Sequence, residues 1–442
     1  MHYLRSLLLF ASLLPLPSLA RLWRTTDPCP ESIKTTVSSY SSEYKSTKIR
    51  FATMDAVHLA LTTCPNITSL DLRVTGLGCT EWPDRWNFPF KLEGGEKYPP
   101  LREIKLEGYR FSERAWEETK FRNVLGVWGR GLPWYERVAE WTMSGKAFKQ
   151  YQYSRLPEQQ RTKDNLDLWL DAMDWSKVES LNLMGDNPPP KIVPHLKGLK
   201  KLEIEGYGAQ VFVQGLPNNT LTHLTSISYK NPPDLYSILL HQGHLLEHLE
   251  VRAPEQMSVP SPTYNNSQLE HLTDMAPNLS HLSINLPRNG TWPFEILETL
   301  SRIRSLRTLD LWLDITSLCQ RGKPDRMSHK YDQYLAILAA NSTSCDGEAE
   351  FLTPFVNETS SLEVFNFMKE HKVGEELKNV TFWVGDWSRS WDGPLYFPDW
   401  LEHRSTKVFC SEEGKQEGEA WCEVLGSRDY WKKSRKEYDW ED

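Results

Sequence analysis

The chain has 442 residues, 39% of them hydrophobic and 25% charged, a make-up that excludes disordered and fibrous proteins and points to a globular one. Its net charge of −8 supplies no basic excess for binding nucleic acid. The length leaves room for two or three compact domains or for one extended repeat domain.

Met1 to Ala20 reads as a secretory signal peptide. His2 and Arg5 make a weakly basic start, Ser6 to Leu14 is a largely apolar run, and Pro15 and Pro17 break it. Ser18-Leu19-Ala20 then offers the small residues a signal peptidase needs. The run is far too short to span a bilayer, so the expected location is extracellular, with no membrane span. Asn-x-Ser/Thr sequons start at Asn66, Asn218, Asn265, Asn278, Asn289, Asn341, Asn357 and Asn379, and a secreted chain would carry glycans at its surface there. Seven cysteines enter this oxidising setting. Cys410 and Cys422 flank a polar, Gly-containing stretch and are expected to close a hairpin. Cys319–Cys345 is expected to close a second loop. Cys29, Cys64 and Cys79 should supply one pair, with the pairing left open. No spacing matches a zinc site.

From residue 67 onward a short pattern recurs, apolar-x-x-apolar-x-apolar. It runs Ile67/Leu70/Leu72, Leu101/Ile104/Leu106, Val178/Leu181/Leu183, Leu199/Leu202/Ile204, Leu246/Leu249/Val251, Leu279/Leu282/Ile284 and Leu306/Leu309/Leu311, with a late copy at Leu377/Val380/Phe382. A copy near Leu224 offers two registers, from Leu221 or from Leu224. Helical patterns at 55–63, 165–173, 234–242 and 294–303 precede several copies. Helix then strand, repeated, predicts a parallel sheet with helices on its other side. Pro65-Asn66-Ile67-Thr68-Ser69-Leu70 and Pro277-Asn278-Leu279-Ser280-His281-Leu282 also match in detail, each with a sequon at the same place. Segments 81–100, 111–163 and 319–361 interrupt the repeats as insertions. The repeat domain is expected over 21–400, and a cap hairpin with a charged tail over 401–442.

These motifs resemble the leucine-rich repeat superfamily, closer to its ribonuclease-inhibitor-like and F-box-associated subclasses than to the compact plant receptor type. CPNITSLDLRV (64–74), PDRWNFPFKL (83–92), PPLREIKLEGYRFS (99–112) and LDLWLDAMDWSKVESLNL (166–183) are similar to stretches of filamentous-fungal proteins labelled F-box-like or leucine-rich-repeat-like. The resemblance implies an irregular α/β solenoid: a curved parallel sheet with helices on the convex side. An F-box would stand at the N terminus, where this chain has a signal peptide, so an adaptor role requires the secretion reading to fail.

No Gly-x-Ser-x-Gly, phosphate loop or His-Glu-x-x-His is present, so no catalytic residue, cofactor or metal is assigned. Glu93/Glu96 and Glu412/Glu413 read as solvated carboxylates. The 18 tryptophans, Trp383, Trp387 and Trp391 among them, read as packing or a cap more than as a sugar platform. Alternation along each strand puts a row of polar residues on the open face. The candidate ligand residues are Arg73, Glu103, Lys105, Glu203, His248, Glu250, Arg252, His281, Asp310 and Trp312. The expected function is a secreted, glycosylated, non-catalytic scaffold that recognises a protein or glycan partner. The alternative is a secreted carbohydrate-active enzyme.

Overall fold

The computed structural model describes residues 28–38, 50–75, 90, 92–109, 111, 134–184, 188–206, 208–228, 233–254, 261–288, 291–314, 356–385, 406–413 and 419–426. The signal segment, Cys79, Cys319, Cys345, Asn289, Asn341, Trp387, Trp391 and the charged tail lie outside them. Two compact units divide the chain. One falls within Met1–Leu101 and Tyr109–Met173, the other within Arg102–Gly108 and Asp174–Asp442.

The first unit opens with β1 (Ser32–Ser38), paired in parallel with β2 (Ser69–Thr75). Between them lies helix α1 (Met54–Thr63). Thr53 caps it by accepting the Ala56 N–H, and Ala56, Val57, Ala60 and Leu61 form its buried stripe. A disulfide joins Cys29, ahead of β1, to Cys64 at the end of α1. Helices α2 (Trp134–Thr142), α3 (Gly145–Ser154), α4 (Glu158–Thr162) and α5 (Asn165–Ala172) follow. Trp169 of α5 is fully buried, with Tyr109, Phe90, Phe111 and Tyr98 around it at ring separations of 5.1, 5.4, 5.4 and 5.8 Å. A closed polar loop fixes this cluster. The Tyr109 hydroxyl donates to Asn165 Oδ1 and accepts the Phe90 N–H, and Asn165 Nδ2 donates to the Phe90 carbonyl. Complete hydrogen bonding is what makes such burial of polar groups tolerable. Glu96 accepts the N–H groups of Glu93 and Gly94, so Glu93/Glu96 shape a turn.

The second unit contains β3 (Glu103–Glu107), β4 (Ser180–Met184), β5 (Lys201–Glu205), β6 (His223–Ile227), β7 (His248–Arg252), β8 (His281–Asn285), β9 (Thr308–Leu313) and β10 (Asn379–Val384), each parallel to the next in chain order. Helices α6 (Ala209–Gly215), α7 (Leu235–Gln242), α8 (Asn266–Met275), α9 (Phe294–Ser301) and α10 (Glu358–Glu370) precede β6 to β10 in turn, and each packs against its neighbour. The alternating chemistry of the strands explains the layering. The second and fourth residues of β5, Leu202 and Ile204, are buried, as are Leu249 and Val251 of β7 and Leu282 and Ile284 of β8. The residue at the entrance of each turn is buried too: Val178, Leu199, Leu221, Leu246, Leu279, Leu306 and Leu377.

One backbone device recurs at every step. The Arg102 carbonyl accepts the N–H groups of both Glu179 and Ser180. Glu179, Lys200, Thr222, Glu247, Ser280 and Arg307 each do the same for the following turn. A carbonyl shared by two donors at the same slot makes the turns equivalent despite their unequal lengths. At Leu224 the register is settled. Leu224 pairs with Leu202 and Leu249, Leu221 is the entrance residue, and Ser226 fills the last apolar slot.

After β10 the direction reverses. β11 (Thr406–Ser411) and β12 (Trp421–Gly426) add antiparallel to β10 and to each other. Cys410 and Cys422 face one another in this hairpin and are disulfide-bonded. Glu412 and Glu413 pair with Lys369 of α10 and Lys378, so they tie the hairpin down rather than standing free in solvent. The hairpin covers the edge that β10 would otherwise present. No helix among the described residues is long and apolar enough to cross a membrane.

Candidate functional site

On β3 to β10 the first, third and fifth residues stand on the sheet face opposite the buried leucines. They form three rows running across the strands. Arg73, half-buried on β2, belongs to the other unit.

The first row contains Lys201, His223, His248, His281, Thr308 and Asn379. The three imidazoles stack, with ring centroids 5.5 Å apart between His223 and His248 and 4.1 Å between His248 and His281. Burial lowers all three histidine pKa values, that of His248 to about 4. Sequence reading identified His248 and His281 in one slot. It missed His223, because Ser226 disguised the register of its strand.

The middle row runs Lys105, Asn182, Glu203, Thr225, Glu250, Ser283, Asp310 and Thr381. Glu103, at the first position of β3, and Lys105 are exposed. Asn182 Nδ2 donates to Glu203, and Thr225 Oγ1 donates to Glu250 Oε2 at 3.4 Å. Glu250 Oε1 is 2.5 Å from Arg252 Nε. Burial, reinforced by the like charge of Glu250, pushes the Glu203 carboxyl above the usual carboxylate range. Asp310 accepts from Trp383 Nε1 at 3.3 Å and lies 3.5 Å from His281 Nε2.

The third row departs from expectation. Arg252 and Trp312 were expected to face solvent, yet they are only 3% and 7% exposed. The Arg252 guanidinium lies 4.2 Å over the Trp312 ring, Trp312 stacks on Trp383 at 4.6 Å and 4°, and the Lys407 ammonium sits 3.9 Å over Trp383. Trp312 Nε1 also donates to Ser283 Oγ. Each ring therefore spends its faces on its neighbours. Trp383 belongs to this stack within β10, not to a sugar platform. Asn285, in the same row, is occupied by the N–H and carbonyl of Ala253.

The face that remains is thus the first and middle rows: Glu103, Lys105, Glu203, His248, Glu250, His281 and Asp310 from the sequence, joined by His223 and Thr225, while Asn182 is buried beneath Glu203. Among the described residues no group of three or more His, Cys, Asp or Glu could hold a metal ion. No family model, curated protein or solved structure matches this chain.

Proposed function

We propose that the chain is a secreted, glycosylated leucine-rich-repeat protein that recognises a polar protein or glycan partner through the face carrying the first and middle rows. The observation behind this reading is the shared register. Equivalent side chains from β3 to β10 line up about 4.8 Å apart, so one extended partner can touch many strands at once. Two disulfides among the described residues suit an oxidising, extracellular setting. The test is capture of a partner from culture medium by the wild-type protein and by Lys105→Ala/Thr225→Ala. The double variant should lose most of the capture with its melting curve within a few degrees of wild type. Equal capture by both proteins would remove this face from the reading.

One observation favours a second reading, a carbohydrate-active enzyme. Burial pushes the Glu203 carboxyl up, Glu203 lies two strands from Glu250, and glycoside hydrolysis uses two carboxyls of which one is kept protonated by its surroundings. Glu250 is held in place by Arg252 and Thr225, and a carboxylate so held keeps lone pairs with which to attack or to activate water. Release of sugar from a cell-wall polysaccharide panel, abolished by Glu203→Gln, would favour the enzyme.

A further inference from the structure

His223, His248 and His281 occupy the same position on three successive strands. The His248 and His281 rings lie within 5° of parallel, and His223 and His248 within 17°. Neutral imidazoles at 4.1 Å attract by dispersion, whereas two imidazolium ions at that separation repel, and half-burial weakens the screening between them.

The ends of the stack are anchored. Thr222 Oγ1 lies 2.9 Å from His223 Nδ1, and Thr308 Oγ1 lies 2.8 Å from His281 Nδ1. The charged groups around it are unevenly placed. Lys201 on β5 and Glu247 face His223, and Asp310 on β9 and Glu250 face His281. The electrostatic neighbours of His248 are the other two imidazoles. Once an outer ring carries a proton, a second proton on the middle ring meets like charge at stacking distance, and burial already disfavours it there.

We propose that the stack is an acid-sensitive catch. It holds β6, β7 and β8 together while its rings are neutral, and it loosens those strands ahead of the rest of the sheet when the middle ring is protonated. This goes beyond the binding reading and does not depend on what the face binds. The pH window follows from the direction of the shifts. The folded values lie below the ordinary 6.5, so the stabilisation is complete above that pH. It is lost as pH falls from 6.5 through about 4, where His248 titrates.

Amide hydrogen exchange at pH 7 and pH 4.5, corrected for the intrinsic rate, tests the catch. Wild-type protection at 223–227, 248–252 and 281–285 should fall about tenfold or more, while 308–313 and 379–384 hold. His248→Phe keeps a stacking ring without a titrating nitrogen and should cut the selective loss severalfold, leaving only what the two outer rings contribute. His248→Gln serves the same purpose should the Phe variant fail to fold. A uniform fall across all strands would overturn the proposal, as would the same selective fall in the folded variant. So would a His248 resonance titrating near 6.5 in the wild-type protein.

Discussion

Ser226 takes the place that Ile204 and Val251 take on the strands beside it, and its hydroxyl is fully buried without a hydrogen-bond partner. A desolvated hydroxyl of this kind costs stability. Ser226→Ala should therefore leave the protein as stable or raise its unfolding free energy by about 1 kcal/mol. Leu249→Ala, one strand away, should cost about 2–5 kcal/mol by opening a cavity at a fully buried site. In urea titrations the Leu249→Ala midpoint should fall while that of Ser226→Ala holds or rises, and a fall in both would contradict the register assigned to β6. The same serine explains why the sequence was ambiguous here. Periodicity reads apolar residues, and a polar one in an apolar slot blurs the pattern. With the register blurred, His223 could not be matched to His248 and His281. The burial of Arg252 and Trp312 was illegible for a different reason. Alternation places a side chain on a face, but Trp312 is closed off by Arg252 and Trp383, which lie 60 residues before it and 71 after it in the chain.

At the scale of elements, α1, α5, α7 and α9 follow the helical patterns of the sequence closely, because their apolar stripes are strong. Helix α8 escaped notice since it buries few apolar side chains, Leu269 and Leu272. Its start is set by the Asn265/Gln268 capping box. Strand β1 escaped because Thr35 stands at its centre opposite Leu72, with its hydroxyl donating to the Phe51 carbonyl. The joints between elements carry their own constraint. Gly243 lies where α7 passes into the turn before β7, and a Cβ there would meet the Met275 carbonyl oxygen at 2.4 Å. That oxygen is backbone at the end of α8 and cannot swing aside. Gly243→Val should push the two turns apart and lower the melting temperature by several degrees or more, whereas Gly145→Val, with open space around it, should change it little. Equal melting of the two variants would show that the turns are not packed as described.

For the whole molecule, the proposed secretion carries consequences that mass spectrometry can read. Asn66, Asn218, Asn265 and Asn278 are exposed, and Asn265 caps α8 through its oxygen, leaving its amide nitrogen available for a glycan. Asn379 is half-buried at the start of β10, paired between Thr308 and Ser411. Glycan occupancy should be high at the four exposed sites and absent at Asn379. Occupancy at Asn379 would place a sugar on the face assigned to the partner. The α/β alternation and the mostly parallel sheet were legible because they repeat. The site was legible only in outline, since a row of polar residues identifies a face and says little about which of its members pair with each other.

The central claim is that a partner sits on the first and middle rows and not on the helices. Photocrosslinking decides this most directly, with a benzophenone amino acid placed singly at Lys105, at Thr225 and, on the helix side, at Val211 or Leu240, which are 62% and 58% exposed. The account predicts adducts with secreted material from positions 105 and 225 and none from 211 or 240. Adducts from the helix positions, with 105 and 225 silent, would contradict it.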